Sequence, residues 1–235
     1  MKVALIGYGK MGHSIESILA ERGHEVTARF GRDGIDKQAL QKADVAIEFT
    51  RPEGAFGNIA ACFECSVPVV SGTTGWLARY DEAVKLCERE EGTFLYASNF
   101  SLGVNLFFEV NRHLARIMNA YPEYEVDIEE IHHTEKKDAP SGTAITLAEQ
   151  IEDQLKRKEG WTMDEQHSKE QIHISAKREP DVPGTHIIRY LSEIDTIQIE
   201  HTAHSRKGFA LGAVLAAEFL PGKKGVYTMK DVLKI

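Results

Sequence analysis

Met1-Lys2-Val3-Ala4-Leu5-Ile6-Gly7-Tyr8-Gly9-Lys10-Met11-Gly12 opens the chain and decides its fold class. Lys2 to Ile6 is an apolar run of strand length, and a helical pattern follows from Met11 to Glu21. Between them Gly7, Gly9 and Gly12 form a G-x-G-x-x-G. Glycines at that turn let the backbone approach a phosphate closely. The helix start behind them offers unpaired N–H groups and the positive end of its dipole. Three glycines alone would be a weak signal. Placed between a strand and a helix, they read as a dinucleotide fingerprint.

The pattern repeats outward from this turn. Glu25 to Phe30, Val45 to Phe49, Val67 to Val70 and Thr93 to Tyr96 read as strands, with helical spacing over Glu53 to Cys65 and Leu77 to Glu90. Strands alternating with helices imply parallel pairing through right-handed crossovers, hence a Rossmann-like doubly wound α/β sheet. After Ser101 the alternation stops. Val104 to Asn119 and Thr143 to Lys158 read as helices, and Tyr124 to Ile131, Gln171 to Ala176, Thr185 to Leu191 and Thr196 to Ala203 as strands. Clustered strands predict a separate, mostly antiparallel sheet in a smaller α+β domain, open and mixed in character. Glu159 to Lys169 is polar and reads as a loop. Gly208 to Phe219 returns to a helical pattern that stops near Pro221-Gly222. The expected division is a dinucleotide-binding domain over residues 1–101 with 207–235, and a substrate-binding and oligomerisation domain over 102–206.

The bulk properties narrow the function. A chain of 235 residues buries enough surface to need no disulfide staple. Its formal net charge of -8 argues against nucleic-acid binding, which requires clustered Lys and Arg. No apolar run approaches the ~20 residues of a membrane span, and the N-terminal strand lacks the h-region of a signal peptide, so a cytoplasmic location is expected. Cys62 and Cys65 form a C-x-x-C without further ligands and are read as free thiols. His201 and His204 would point to opposite faces of a strand. No metal site is expected.

Two further loops follow strands at their carboxyl ends, where open α/β sheets bind ligands: Ser71-Gly72-Thr73-Thr74-Gly75 and Ala97-Ser98-Asn99-Phe100-Ser101. At the end of the second strand, where an acid would hold a ribose 2′-OH, stands Ala28-Arg29-Phe30-Gly31-Arg32. Arginines there suit a 2′-phosphate, so NADPH is the expected cofactor, with NADH as the alternative. The densest chemistry lies in Glu130-Ile131-His132-His133-Thr134-Glu135-Lys136-Lys137-Asp138-Ala139-Pro140-Ser141-Gly142-Thr143-Ala144. Pro140 to Thr143 reads as a helix start whose free N–H groups suit a carboxylate. Lys136 adds a full positive charge, and His132 or His133 can carry a proton near neutral pH. These parts suit reduction of a small anionic molecule.

His132-His133-x-x-Lys136-x-Asp138-Ala139-Pro140-Ser141-Gly142-Thr143-Ala144 resembles the signature of the 4-hydroxy-tetrahydrodipicolinate reductase family, formerly the dihydrodipicolinate reductases. The likeness extends through Gly7 to Gly12, Gly72 to Gly75, Asn99 to Asn105, and Ser205-Arg206-x-x-Phe209-Ala210-x-Gly212-Ala213, and so covers nearly the whole chain, here in a short form. The resemblance implies NAD(P)H-dependent reduction of a cyclic dicarboxylate to tetrahydrodipicolinate in diaminopimelate and lysine synthesis, and a homotetramer formed through the second sheet. It implies His132 as general acid and Lys136 as catalytic lysine. His133, Ser141, Gly142 and Thr143 would contact substrate carboxylates. Gly7, Tyr8, Gly9, Lys10, Met11, Gly12, Gly72, Thr73, Thr74, Ala97, Ser98, Asn99 and Phe100 would contact the cofactor, with Arg32 added from the strand-end argument. Domain closure would bring cofactor and substrate together. Glu135 stands where some members have a basic residue, which makes the pocket less positive. Both the hydroxylated ring and its dehydrated form suit the chemistry. Two rivals share the fingerprint: another two-domain dehydrogenase, and a non-catalytic nucleotide sensor with no use for His132 and Lys136.

Overall fold

A computed structural model describes residues 1–205 and 207–235. Arg206, the second residue of the Ser205-Arg206 motif and the last of the expected second domain, lies outside the described residues. The elements run β1 (Lys2–Ile6), α1 (Lys10–Glu21), β2 (Glu25–Phe30), α2 (Lys37–Leu40), β3 (Val45–Glu48), α3 (Pro52–Glu64), β4 (Val69–Ser71), a 3₁₀ turn (Leu77–Arg79), α4 (Tyr80–Arg89) and β5 (Thr93–Tyr96). There follow α5 (Leu102–Met118), β6 (Glu125–His132), α6 (Gly142–Gln154), β7 (Trp161–Thr162), β8 (Ile172–Arg178), β9 (Gly184–Leu191) and β10 (Thr196–Ala203). The chain ends with α7 (Lys207–Phe219), β11 (Gly225–Tyr227) and α8 (Met229–Leu233). Two compact units result, Met1–Leu102 with Lys207–Ile235, and Gly103–Arg206.

The first unit is a six-stranded sheet in the order β11-β5-β4-β3-β1-β2, with every pair parallel. Alternation along β1 builds two cores. Val3 and Leu5 face one side with Ile15, Ile18 and Leu19 of α1 and Ala210, Ala213, Ala216 and Ala217 of α7. Ala4 and Ile6 face the other, with Leu40, Ile59, Phe63 and Cys87. Strands covered on both faces read as continuous apolar runs, as β1 and β3 do. All three cysteines are free and buried, and burial pushes the Cys87 thiol up to about 11, which leaves it unreactive.

The second unit carries a five-stranded sheet in the order β10-β9-β6-β8-β7. Its pairs divide evenly: β10/β9 and β6/β9 are antiparallel, β6/β8 and β7/β8 parallel. The sheet is mixed, as expected, but half rather than most of its pairs are antiparallel, because α6 and the segment after it carry the chain back to the start of the sheet for β8. One face buries Val126, Ile128, Ile174, Ile188 and Tyr190 against Phe107 and Ala115 of α5 and Leu147 and Ile151 of α6. The opposite face is charged: Arg189 meets Asp127 at 2.8 Å and Glu129 at 3.2 Å, and Lys177 meets Glu129 at 2.9 Å. Two local expectations change. The helix expected to reach Lys158 ends at Gln154, since Leu155 turns extended and buries its side chain. Arg157 then reaches the carbonyl oxygens of Met118, Tyr121 and Tyr124, and buried Lys158 pairs with Glu125 at 2.8 Å. The polar segment after it contains the short strand β7. No helix among the described residues is long and apolar enough to cross a membrane.

The fully buried alanines of α7 set how closely it lies on α1 and the sheet. Ala213→Leu overfills that layer and is expected to lower stability by about 1–3 kcal/mol. Urea unfolding checks this; an unchanged midpoint would show that the layer has room.

Candidate active site

Ligand-facing loops of the first unit gather on one sheet edge because β5, β4, β3 and β1 are neighbours and parallel. The ladder continues past the strand ends: Phe49 N–H donates to Ile6 O at 2.8 Å, Gly72 N–H to Glu48 O at 2.9 Å, and Ala97 N–H to Ser71 O at 3.3 Å. This brings Gly7 to Gly12, Gly72 to Thr74 and Ala97 to Phe100 into one row. Gly7 has φ +96°, and a Cβ there would stand 2.0 Å from the Phe49 carbonyl oxygen, so only glycine fits. Gly9 is the N-cap of α1 and provides no side-chain cap. The N–H groups of the first turn are thus turned to whatever lies in front, and the cradle fits a pyrophosphate.

Several expected cofactor residues have other engagements. Phe100 is buried in the core beside Phe49, ring centroids 5.6 Å apart. Thr73 is buried, its hydroxyl donating to Glu48 at 2.8 Å while accepting from Thr50 N–H at 2.7 Å. The Tyr8 hydroxyl donates to Glu16, which also pairs with Arg29, and the Arg29 guanidinium lies over the Tyr8 ring. Arg29 is therefore occupied, whereas Arg32 is exposed in the turn beyond β2. Lys10 is exposed and Met11 half-buried at the start of α1. Ser98 is exposed and Asn99 half-buried, the Asn99 carboxamide oxygen accepting from Ser101 N–H at 2.9 Å.

In the second unit the site grows out of strand alternation. Val126, Ile128, Glu130 and His132 lie on one face of β6, and Tyr190, Ile188 and His186 on the same face of β9. The register sets Val126 opposite Tyr190, Ile128 opposite Ile188 and Glu130 opposite His186. The core face thus turns from apolar to ionisable at one end of the sheet. Glu130 is wholly buried. Its Oε1 accepts from Arg178 at 3.1 Å and its Oε2 from the Ser141 N–H at 3.1 Å. Nδ1 of His132 stands 3.2 Å from Oε2, an ion-pair approach slightly off hydrogen-bond alignment, with no other partner for that buried atom among the described residues. Nε2 of His186 lies 3.8 Å from the same oxygen and 3.1 Å from Ser141 Oγ. Burial pushes the Glu130 carboxyl up, but His132, Ser141 and Arg178 together outweigh it and hold it at about 2. Burial, reinforced by His132, takes His186 down to about 3 against the pull of Glu130. At neutral pH the cluster holds an anionic Glu130 and an uncharged His186.

Ser141 is the N-cap of α6, its Oγ accepting from Ala144 N–H at 3.2 Å. Gly142 is exposed and Thr143 half-buried on the first turn, which places the positive end of the helix at the surface. Lys136 is tethered to Asp138, Nζ to Oδ2 at 2.7 Å, and holds that carboxyl below its usual range. Arg178 braces the same loop by donating to the Asp138 carbonyl at 2.7 Å. His133 and exposed Glu135 line a cleft of about 350 Å³ with Thr134 and residues 180–183.

Glu130, Arg178 and His186 were absent from the expected site. The repeats Val126-x-Ile128-x-Glu130-x-His132 and His186-x-Ile188-x-Tyr190 carried the signal, but pairing them requires the register. Glu130, His132 and His186 also present three donor atoms within 4.8 Å of one another, a cation-capable set missed for the same reason. A divalent ion there would face the Arg178 guanidinium on the same carboxylate, so the set is better matched to holding a proton.

Two family models match the chain end to end: that of the dihydrodipicolinate reductase N-terminus over residues 1–100, and that of its C-terminus over residues 103–233. A 4-hydroxy-tetrahydrodipicolinate reductase of Christiangramia forsetii (strain DSM 17595 / CGMCC 1.15422 / KT0803) is 54% identical over 235 residues, 99% of this chain and 98% of the relative. One from Neisseria gonorrhoeae (strain NCCP11945) is 36% identical over 241 residues, 96% of this chain and 86% of the relative. Among solved structures, a dihydrodipicolinate reductase from Paenisporosarcina sp. TG-14 with dipicolinate bound superposes with a TM-score of 0.76 at 23% identity, covering 97% of both chains. At that identity the likeness speaks for the fold.

The cluster makes stability acid-sensitive. His186 has a folded value of about 3 against an ordinary 6.5, so the unfolded chain binds the proton first. Its contribution is complete above about pH 6.5 and declines as pH falls toward 3. Glu130, at about 2 against 4.5, adds a second decline below about pH 4.5. Between pH 6.5 and 5, unfolding free energy should fall by on the order of 1 kcal/mol per pH unit from His186 alone. His186→Gln should flatten the urea-midpoint profile over that window. Equal slopes in both proteins would show that His186 is protonated in the fold.

Proposed function

The chain belongs to the 4-hydroxy-tetrahydrodipicolinate reductase family, oxidoreductases of diaminopimelate and lysine biosynthesis that use NAD(P)H, and from that premise we propose how its residues divide the reaction. The first unit takes the dinucleotide: the pyrophosphate lies on the Gly7 to Gly12 turn, with Gly72 to Thr74 and Ala97 to Phe100 alongside. Since Thr73 and Phe100 are buried, these two contribute backbone groups. When bound, NAD(P)H supplies a hydride to the substrate ring. The second unit takes a small cyclic dicarboxylate. Its carboxylates meet the start of α6 at Ser141, Gly142 and Thr143, the charge of Lys136, and His133. His132 protonates the ring carbon beside the hydride acceptor. The observation that carries this reading is the anionic Glu130 held against His132 beside the Ser141-capped N-terminus of α6. The dipicolinate in the relative from Paenisporosarcina is a dicarboxylate of the kind this arrangement suits. A homotetramer built on the second sheet fits β10, an edge strand with Ile197 exposed and the strongly exposed Ile194 in the turn before it. A biosynthetic enzyme of this kind fits the cytoplasm.

His132→Gln should keep NAD(P)H binding and lose roughly 10²–10⁴-fold in kcat, the usual worth of a general acid. Lys136→Ala should raise substrate KM and lower kcat together, because a carboxylate is held in both ground and transition states. Steady-state kinetics with freshly made substrate checks both. Turnover near wild type in His132→Gln would transfer the role to His133.

NADPH is the expected preferred donor, through exposed Arg32 at the end of β2. Arg32→Ala should reduce the kcat/KM ratio of NADPH to NADH by roughly tenfold, about 1.4 kcal/mol of charge-assisted bonding, and raised salt should reduce it in the wild type. A wild-type preference for NADH would overturn the assignment.

A further inference from the structure

We infer that Glu130 is a positioning residue for proton transfer, fixing the His132 ring through Nδ1 so that Nε2 is the atom that delivers the proton. The inference rests on the reading of His132 as the proton donor and adds which atom acts and what aims it. Three observations carry it.

The two ring nitrogens have opposite surroundings. Nδ1 is buried, and among the described residues its polar neighbour is the Glu130 carboxylate, 3.2 Å away. A Cβ added at Gly184 would stand 3.0 Å from Nε2 and 3.2 Å from Cδ2 of His132. The absence of a side chain at position 184 keeps the approach to Nε2 clear on that side.

The carboxylate itself cannot swing. Arg178 holds Oε1 and the Ser141 N–H holds Oε2, which leaves Oε2 aimed at the ring. Arg178 and Ser141 belong to β8 and the cap of α6, so the aim is set by two elements besides β6.

The second histidine does not compete. His186 meets His132 edge-on, centroids 5.1 Å apart and planes at 74°, and its Nε2 is engaged with Ser141 Oγ. Its low proton affinity at neutral pH agrees with that placement.

The step balances. The hydride that reduces the ring leaves NAD(P)H oxidised. The electron pair at the neighbouring enamine carbon then takes the proton, so a C–H bond forms as Nε2–H breaks. The N–H electron pair stays on Nε2, and His132 becomes neutral while retaining Nδ1–H toward Glu130. Holding one tautomer and orientation this way is how a buried carboxylate serves an acid–base histidine elsewhere.

The test is a double-mutant cycle of Glu130→Gln and His132→Gln, assayed for reductase turnover with NAD(P)H and freshly made substrate. Glu130→Gln should lower kcat roughly 10- to 100-fold, with the NAD(P)H Kd from fluorescence titration unchanged. In the double variant kcat should stay within about twofold of His132→Gln alone, because Glu130 acts through the ring. Histidine ¹⁵N spectra should place the proton of neutral His132 on Nδ1 in the wild type and lose that preference in Glu130→Gln. Wild-type kcat in Glu130→Gln, or losses that multiply in the double variant, would overturn the inference and leave His132 as the donor. Wild-type turnover in His132→Gln would bring down both. Should Glu130→Gln not fold, Gly184→Ala carries the test: crowding Nε2 should lower kcat in the wild-type background and change nothing in His132→Gln, and any other result refutes Nε2 as the delivering atom.

Discussion

A carboxylate with no exposed surface must be matched or it destabilises the fold by several kcal/mol. Glu130 is that group in the second unit, and its matching explains much of the local architecture. One oxygen needs Arg178, which requires β8 to lie parallel beside β6 with Arg178 at the level of His132. The other needs the Ser141 N–H, which fixes where α6 begins. His186 arrives opposite Glu130 through the antiparallel register of β9. Thus the mixed pairing of the sheet is the arrangement that surrounds one acid from three sides. A wholly antiparallel sheet would bring its neighbouring strands in with different registers and leave this charge short of donors.

The first unit has its own buried acid, solved differently. Glu48 ends β3 with no exposed surface, and its partners are the hydroxyls of Thr50, Ser71 and Thr73. Hydroxyl donors bring no charge, so this acid stitches neighbouring strand ends without adding a cation to the ligand edge. The chemistry of the loop changes as a result. The hydroxyls of Ser71 and Thr73 look like ligand contacts in the sequence but turn inward. What Gly72 and Thr73 could offer a ligand is backbone, and the exposed side chain of this loop is Thr74. Glycine at 72 agrees, since a Cβ there would fall 2.2 Å from the Phe49 ring.

Local signals were legible and non-local ones were not. The glycine turn, the strand starts of the parallel sheet and the Ser141 cap each depend on residues adjacent in sequence, so period and turn chemistry sufficed to read them. The three-residue strand β11 and the two-residue β7 owe their existence to a neighbour already in place, and no periodicity fits in so short a run. Residues 130, 178 and 186 carry individually ordinary side chains: an acid, an arginine and a histidine in strands. They become a site only once β6, β8 and β9 are paired in register. The early end of α6 has the same origin, since the pull on Arg157 and Lys158 comes from carbonyl groups and an acid far along the chain.

Burial also decides how the two charged regions respond to their surroundings. At the end of β2, Glu16 neutralises Arg29, which leaves exposed Arg32 as the positive charge of that turn. Its field is screened over about 8 Å at physiological salt, so any discrimination it exerts between donors that differ by one phosphate is bounded by ionic strength. The Glu130 cluster is largely buried and screened far less, and its interactions act in a low effective dielectric where a fixed charge is worth several times more. A change of one charge in the buried cluster must therefore be felt by every element that meets there, whereas the same change at position 32 is local. Under the proposed roles, recognition of the donor would rest on an adjustable surface contact, and proton transfer on a rigid interior one.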